Sequence, residues 1–277
     1  MLTLRDVGFD YGVPRANGSG GALSDLTLSV GPGDRVGLMG ASGSGKSTLL
    51  LVMAGLRRPQ RGSIERGAQL PSLVFQFPER HLFGETVRED VAYGLREGGT
   101  AAAEIERRVR DALDEVGLPE AEFAARAPFR LSGGEMRRAA LAGALAQQRP
   151  VLLLDEPTLG LDAEGCARLR ASLARVHARG VAIWIASHDA DFVAAACDRI
   201  VALDAGRIAY DGPAAEFWRD ASRASRLGVH RPRAAVLADA LRASGIPIET
   251  TFPDEAALFA AFAALPAAPL HPSPPPP

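Results

Sequence analysis

The sequence is short of cysteine, of aromatic residues and of any excess of one charge. Its 277 residues include two cysteines, Cys166 and Cys197, and 6% aromatic residues. Two cysteines without paired spacing build neither a disulfide scaffold nor a zinc module, which indicates a reducing compartment. The 31 basic and 33 acidic residues leave a net charge of −2. This balance excludes the basic surface typical of nucleic-acid binding, and it leaves no polybasic patch for a membrane.

Long apolar runs are also missing from the sequence. No stretch approaches the roughly 18 apolar residues of a membrane-spanning helix, so we expect any membrane role to come through partners. Residues 1–6 pass directly into a strand-like alternation, and we therefore expect no signal peptide. With 47% hydrophobic residues, the chain has enough apolar side chains for one large α/β domain with a small appendage.

The most informative segment is a glycine-rich loop between an apolar strand and a helix. Residues 40–48 read GASGSGKST and fit the phosphate-binding pattern G-x-x-x-x-G-K-[ST]. Arg35–Met39 is expected to form the strand, and residues 49–54 the helix. Backbone N–H groups, Lys46 and the helix N-terminus would hold the phosphates of ATP, while Ser47 would hold Mg²⁺. The predicted ATP-binding residues of the loop are Gly40, Ala41, Ser42, Gly43, Ser44, Gly45, Lys46, Ser47 and Thr48.

An apolar strand that ends in two acids supplies the second part of the predicted site. Residues 151–154 precede Asp155 and Glu156. An acid at the carboxyl end of a strand lies at the ligand-binding edge of an open α/β sheet. Asp155 would complete the Mg²⁺ shell, and Glu156 would polarise the water that attacks the γ-phosphate. The pair alone is a weak signal, but in the same chain as Lys46 it indicates nucleotide hydrolysis.

A third motif precedes these acids in the chain. It consists of Leu131, Ser132, Gly133, Gly134 and Glu135. The spacing of its serine and glutamate matches a capping box and predicts a helix through Ala146. Its exposed N–H groups, glycines and hydroxyl also suit an anion site. Taken with the other two motifs, the sequence L-S-G-G-E resembles the signature of ATP-binding cassette (ABC) ATPases, and the resemblance covers the chain to about Gly212.

The resemblance to ABC ATPases implies roles for further residues. Tyr11 would stack on adenine, and Gln76 would reach Mg²⁺ and the attacking water. His188 would contact the γ-phosphate, and Asp162 would lie in the D-loop, which crosses to the partner subunit. The implied catalytic residues are Glu156, His188 and Gln76, and the implied Mg²⁺ ligands are Ser47, Gln76 and Asp155.

The resemblance also implies a fold and an assembly. The expected fold is an α/β P-loop core with a RecA-like parallel sheet, an antiparallel β subdomain and a helical subdomain, followed by a small C-terminal appendage. In the implied head-to-tail dimer, each ATP lies between the phosphate loop of one subunit and the signature of the other. Each chain would thus hold two half-sites. The second ATPase subunit is either an identical chain or a related one.

A segment downstream of the phosphate loop narrows the resemblance to one branch. Residues 74–83, 85–87, 90–94 and 128–138 are similar to the ATPases of energy-coupling factor (ECF) transporters, including the cobalt/nickel type. This branch implies a peripheral motor on the cytoplasmic face of the cell membrane. It would power import through a transmembrane T-component joined to a small substrate-capture membrane protein. The motor does not touch the transported substrate, so a vitamin, cobalt and nickel stay open as alternatives.

Two residues depart from the pattern of this branch. His81 stands where Gln is frequent, and Glu135 replaces the commoner Gln; neither change affects the expected ATPase activity.

Three other functions compete with this branch. The runner-up is the ATPase of a classical ABC importer or exporter. A DNA-repair or chromosome-organising ATPase would need a coiled coil or zinc cysteines before Leu131. A regulator that does not hydrolyse ATP is disfavoured by Glu156 and His188.

The chain is predicted to divide into three parts. Residues 1–213 form the nucleotide-binding domain, with the helical subdomain at about 80–145. Residues 214–265 form a helical appendage that serves either in dimerisation or as a packing cap, and residues 266–277 form a Pro-rich tail that we expect to be disordered. Further predicted elements are strands at 2–9, 26–30, 72–76 and 181–186, a flexible connector at 17–21, a hairpin from 200–203 and 207–210, and helices at 100–116, 233–244 and 254–265.

Overall fold

The computed structural model of the protein describes residues 2–12, 22–249 and 252–265. The predicted connector at 17–21 and the predicted tail at 266–277 lie outside the described residues. In chain order, the strands of the described part are β1 (Leu2–Phe9), β2 (Leu23–Val30), β3 (Arg35–Met39), β4 (Arg61–Arg66), β5 (Ser72–Val74), β6 (Val151–Asp155), β7 (Ala182–Ala186), β8 (Arg199–Asp204) and β9 (Arg207–Pro213).

These strands form two sheets. The smaller one is antiparallel with the order β2-β1-β4, and the larger one has the order β5-β6-β7-β3-β8-β9. The larger sheet is parallel except for β9, which pairs antiparallel with β8 as the predicted hairpin. Strand β7 is buried along its whole length, as expected for a parallel strand covered on both faces. The predicted fold class is confirmed.

The predicted helices are all present. Their ends differ from the predicted ones by at most two residues, except that α1 (Lys46–Met53) begins three residues before the predicted start at 49. The helix predicted at 100–116 is α3, and the two predicted near the C-terminus are α10 and α11. Two short helices, α8 (Ala214–Arg219) and α9 (Ala221–Arg226), fall within the predicted helical appendage, whereas α6 (Ala163–Ala178) and α7 (Ala190–Ala196) lie where no element was predicted. The helices are α1 (Lys46–Met53), α2 (Val87–Glu97), α3 (Ala102–Glu115), α4 (Glu120–Phe123), α5 (Gly133–Ala146), α6 (Ala163–Ala178), α7 (Ala190–Ala196), α8 (Ala214–Arg219), α9 (Ala221–Arg226), α10 (Arg233–Ala243) and α11 (Glu255–Ala263).

The six-stranded sheet separates two apolar cores. Leu153 and Trp184 point into the core that this sheet shares with α1 and the antiparallel sheet, and Trp184 is 0% exposed. The opposite core contains residues of α2, α3, α5 and α7. Gly37 of β3 lies where α7 approaches, because a Cβ there would be only 2.3 Å from Cγ1 of Val193. Glycine at this position therefore lets α7 pack directly on the sheet.

The C-terminal region divides between the main core and a core of its own. Phe217 and Trp218 of α8 are buried in the same core as α7. By contrast, α10 and α11 meet through a small separate core formed by Ala234, Ala238 and Leu258. Among the described residues, no helix combines the length and the apolar character that crossing a membrane requires.

Candidate active site

Three adjacent parallel strands bring the predicted motifs together. Because β6, β7 and β3 are neighbours in the sheet, their carboxyl ends meet at one edge, where α/β sheets bind ligands. The phosphate loop follows β3, Glu156 follows β6, and His188 follows β7 by two residues. A cavity at this edge is lined by Ser42, Gly43, Gly45, Lys46, Ser47, Thr48, Gln76, Glu156 and His188.

The phosphate loop needs glycine at three of its positions. Gly40, Gly43 and Gly45 have φ values of 138°, 77° and 110°, a region that residues with a Cβ rarely enter. Space is a second requirement. A Cβ on Gly40 would lie 2.3 Å from the carbonyl oxygen of Leu203, and one on Gly45 would lie 2.8 Å from that of Ala22. The loop is thus packed closely against the end of β8 and the start of β2.

Lys46 folds back into this loop. Its Nζ donates hydrogen bonds to the carbonyl oxygens of Gly40 and Ala41, at 2.7 and 3.1 Å, and lies 3.3 Å from Nε2 of His188. Burial lowers the pKa of Lys46, and the negative charges of Glu156 and Asp155 oppose that shift. When phosphate oxygens enter the loop, the ammonium group can exchange its carbonyl partners for them.

Asp155 and Ser47 bring two oxygen ligands side by side. The Ser47 hydroxyl hydrogen-bonds the Asp155 carboxylate, and burial raises the pKa of Asp155 against that hydrogen bond. A cation would relieve the burial of this charge. Mg²⁺ takes oxygen ligands, usually only one or two carboxylates from the protein and the rest from phosphates and water. The side chains at this position therefore fit Mg²⁺.

Glu156 is held in place through both its backbone and its carboxylate. Its φ of 47° is unusual for a residue with a side chain, and its N–H donates to the carbonyl of Ala186 at 2.8 Å. Oε2 accepts hydrogen bonds from the Ser187 hydroxyl and the His188 N–H, both at 3.2 Å. Oε1 lies 3.5 Å from Nε2 of His188. Backbone strain of this kind concentrates at functional sites, where the surroundings fix a side chain in one direction.

Gln76 and Tyr11 flank the phosphate loop on two sides. Gln76 lies two residues beyond the end of β5, not within the strand, and faces the same cavity as Glu156. The Tyr11 hydroxyl lies 3.3 Å from Oγ1 of Thr48. The Tyr11 ring meets Phe9 edge-on at 4.9 Å and is half exposed. An aromatic face is thus available beside the phosphate loop.

The signature segment does not line the phosphate-loop cavity of its own chain. Ser132 caps α5 as predicted: its hydroxyl accepts from the Glu135 N–H at 3.3 Å, and its own N–H donates to Glu135 Oε2 at 2.7 Å. Hydrogen bonds from the backbone N–H and from the hydroxyl of Ser132 to the carboxylate lower the pKa of Glu135. Asp162 caps α6 by accepting from the Gly165 N–H at 2.7 Å. Ser132 and Gly133 are exposed, so their free groups face outward.

Two residues of the site escaped the sequence analysis. The hydroxyl of Ser187, which is 0% exposed, donates to Glu156 and accepts from the Asp189 N–H at 3.0 Å. Asp189 then caps α7 by accepting from the Phe192 N–H. In the sequence, Ser187 stands between a buried strand and His188. Its partner Glu156 follows a different strand, so the sequence alone could not show the contact.

Comparisons with known proteins agree with this geometry. A family model described as ABC transporter matches residues 23–159. The energy-coupling factor transporter ATP-binding protein EcfA2 of Symbiobacterium thermophilum is 41% identical over 251 residues, which cover 85% of this chain and 87% of that protein. EcfA of Methanothermobacter thermautotrophicus is 37% identical over 268 residues, covering 90% of this chain and 82% of that protein.

Solved structures show the same fold. The cbiO1 protein of Clostridium perfringens, part of the ABC transporter complex cbiONQ, has a TM-score of 0.68 at 29% identity, covering 81% of this chain and 92% of that one. A bacterial ABC transporter cassette solved as a dimer has a TM-score of 0.66 at 28% identity, covering 77% and 98%.

The fold, together with the phosphate loop, Glu156 and His188 at the sheet edge, defines an ATPase of the ABC transporter class. The expected ATP binding and hydrolysis coupled to transport are confirmed at this level. Within the class, the chain belongs to the family of energy-coupling factor transporter ATP-binding proteins. The predicted ECF-type motor is thereby confirmed over the classical alternative.

Proposed function

We propose that this chain hydrolyses ATP with Glu156 as the residue that polarises the attacking water. The carboxylate of Glu156, held by Ser187 and by the His188 N–H beside the phosphate-loop cavity, is the observation that supports this role. His188 would contact the γ-phosphate, and Gln76 would help to place the water. Phosphoryl transfer depends mainly on such positioning and on charge stabilisation.

The remaining groups bind the nucleotide. Lys46 and the N–H groups of residues 40–48 would hold the β- and γ-phosphates, and the Tyr11 ring would stack on adenine. Ser47, Gln76 and Asp155 would hold Mg²⁺. When bound, the ion would neutralise charge that develops on the phosphate oxygens. Asp155 would need to be ionised for this purpose, which its ligand role favours despite its raised pKa.

Each site would be completed by a second ATPase subunit, identical or related. The segment Leu131–Glu135 does not line the phosphate-loop cavity, and its N–H groups at the start of α5 suit an anion. In a head-to-tail dimer they would contact the γ-phosphate bound by the partner, while Asp162 would cross the interface. ATP would close the dimer, and hydrolysis would release it.

A groove beside Gln76 suits the transmembrane T-component. Phe83 is 67% exposed and meets the half-exposed Tyr93 edge-on at 4.7 Å. Asp90 lines the same groove; its Oδ1 accepts from the Phe83 N–H, while the buried Oδ2 has no partner within the described residues. Aromatic rings with a free carboxylate oxygen would receive an apolar, basic segment. This contact would place the chain at the cytoplasmic face of the membrane, in a complex that includes a small substrate-capture protein for a vitamin or transition-metal ion.

The helical appendage from 214 onward would take part in dimerisation.

The test uses the variant Glu156→Gln, which keeps the size of the side chain and removes its charge. Phosphate release should fall by at least about a hundredfold, while ATP binding persists and a dimer accumulates on size exclusion with ATP. The trapped variant, tagged and added to detergent-solubilised native membranes with ATP, should recover a T-type membrane protein with a small capture protein. Lys46→Ala, which should not bind ATP, is the control for ATP-dependent recovery.

Turnover at the wild-type rate in Glu156→Gln would remove Glu156 from its proposed role. Recovery of two large transporter subunits, or of no membrane protein, would contradict the proposed T-component partner while leaving the ATPase chemistry intact.

A further inference from the structure

The first residue of α10 is hydrogen-bonded to α7, the helix that follows His188. The N–H of Arg233 donates to Oδ1 of Asp191 at 2.7 Å, and its Nε donates to Oδ2 at 2.8 Å. Pro232 occupies the N-cap position of α10 and provides no side-chain cap. The Asp191 carboxylate, which belongs to the first turn of α7, therefore satisfies a free N–H group of α10 and faces the positive end of that helix.

The first turn of α7 is linked to the carboxylate of Glu156 through the hydroxyl of Ser187. Asp189 caps α7 with its side chain, and its N–H donates to the Ser187 hydroxyl. That hydroxyl in turn donates to Glu156. Since α7 has only seven residues, a shift at Asp191 moves the same turn that carries Asp189. The appendage is thus three contacts away from the group that polarises the water.

A second contact reaches the phosphate loop. Gly228, which precedes α10, has a φ of 64°, and a Cβ on it would lie 3.1 Å from Cβ of Ala41. Val229 next to it is buried in the main core. The segment that leads into α10 therefore lies against the phosphate loop before Arg233 reaches α7. The stretch from Gly228 to Arg233 thus lies beside the phosphate loop at one end and is hydrogen-bonded to α7 at the other.

The ion pairs that join α10 and α11 to α6 and α7 are exposed. The Arg233 side chain is 72% exposed and also lies 3.6 Å from Glu255 of α11, and Arg170 of α6 lies 3.4 Å from Asp254. Exposed ion pairs contribute little to global stability. Because α10 and α11 have their own core, these contacts orient two packed units more than they hold either of them together.

We propose that Arg233 and Asp191 are positioning residues of the ATPase site. They hold the first turn of α7, and with it the loop of Ser187 and His188, in the orientation that directs Glu156 into the cavity. This inference rests on the proposed role of Glu156. It makes the C-terminal appendage a determinant of the hydrolysis rate, in addition to any part in assembly.

The test compares full-length variants in ATP hydrolysis, ATP affinity and thermal melting. Asp191→Ala and Arg233→Ala should each lower kcat about fivefold, the effect of losing one helix cap or end charge, with KM changed less than about twofold. Arg233→Lys keeps the charge and should retain most of the rate. Arg242→Ala is the matched control, because Arg242 lies on the same helix and pairs with Asp239 within it, at 3.9 Å.

A double-mutant cycle tests the route. If Arg233 acts through the loop that holds Glu156, Arg233→Ala should lower kcat less in a Ser187→Ala background than in the wild type. Unchanged kcat in both single variants would overturn the proposal. So would a loss of kcat that Arg242→Ala shares, or one that parallels an equal loss of ATP affinity and melting temperature. Full activity in Glu156→Gln would instead refute the proposed function on which the inference rests.

Discussion

Removing the hydroxyl of Ser187 should slow ATP hydrolysis without preventing ATP binding. In Ser187→Ala, Oε2 of Glu156 loses one of its two donors and keeps the His188 N–H at 3.2 Å. The carboxylate is then free to rotate away from the cavity. The phosphate loop does not contact this hydroxyl, so the binding of ATP should be nearly unchanged.

The magnitude follows from the geometry of the lost bond. Hydrogen bonds to charged groups contribute about 1.5–3 kcal/mol. At 3.2 Å this O–H···O bond is longer than the usual range of about 2.5–3.0 Å, so we use the lower value. About 1.5 kcal/mol corresponds to roughly a tenfold fall in kcat. The N–H of Asp189 also loses its acceptor, so the free energy of unfolding should fall by about 1 kcal/mol.

The assay is steady-state phosphate release at varied ATP, with denaturant unfolding measured on the same preparations. Ser72→Ala is the matched control, because this buried hydroxyl also makes one hydrogen bond, to the carbonyl of Ala144 at 3.0 Å. It lies at the amino end of β5, whereas the site lies at the carboxyl ends of the strands. It should lose comparable stability and keep kcat. A kcat in Ser187→Ala within twofold of the wild type would refute the orienting role of this hydroxyl. An equal loss in both variants would assign the effect to stability.

Two predictions concern stability. Gly37→Ala places a Cβ 2.3 Å from Val193 and should lower the free energy of unfolding by about 1–3 kcal/mol. Gly143→Ala is the control: its Cβ would have no atom nearer than 3.8 Å, so thermal melts should show it to be neutral or stabilising. Burial raises the pKa of Glu115, but its hydrogen bonds from Arg179 and a second arginine outweigh this and lower the pKa. The stabilisation that ionised Glu115 gives the fold should be fully present above its unfolded-state pKa and should be lost as the pH falls through the lowered folded-state pKa. The free energy of unfolding of Glu115→Gln, measured against pH, should therefore lack this acid-side loss. The same pH dependence in the variant and the wild type would contradict the prediction.

The parts of the site that the sequence could predict are those fixed by local order along the chain. Glu156 and His188 each follow a buried strand, and the parallel arrangement of those strands is enough to bring their carboxyl ends together. Ser132 and Glu135 are three residues apart, so their capping box is also a local property. Spacing within one segment carries this information without knowledge of the packing.

Contacts between distant segments could not be predicted in the same way. Ser187 and Glu156 are 31 residues apart, and Arg233 and Asp191 are 42 apart. No pattern within either segment specifies its partner. The helices α8 and α9 have six residues each, too few for a helical period to stand out, and packing of Phe217 and Trp218 fixes the first of them. The roles of the site residues stay predictions until the variants are measured.

Trp184 and Trp218 are the two tryptophans of the protein, and both are buried. One lies three residues before Ser187, in the core next to the antiparallel sheet; the other lies in α8, on the opposite face. The tryptophan fluorescence of the folded chain therefore arises from its interior, with one emitter on each side of the central sheet. A titration with ATP can be followed from β7, the strand that precedes His188, without attaching any dye. Replacing Trp218 with Phe would leave that strand as the sole source of the signal.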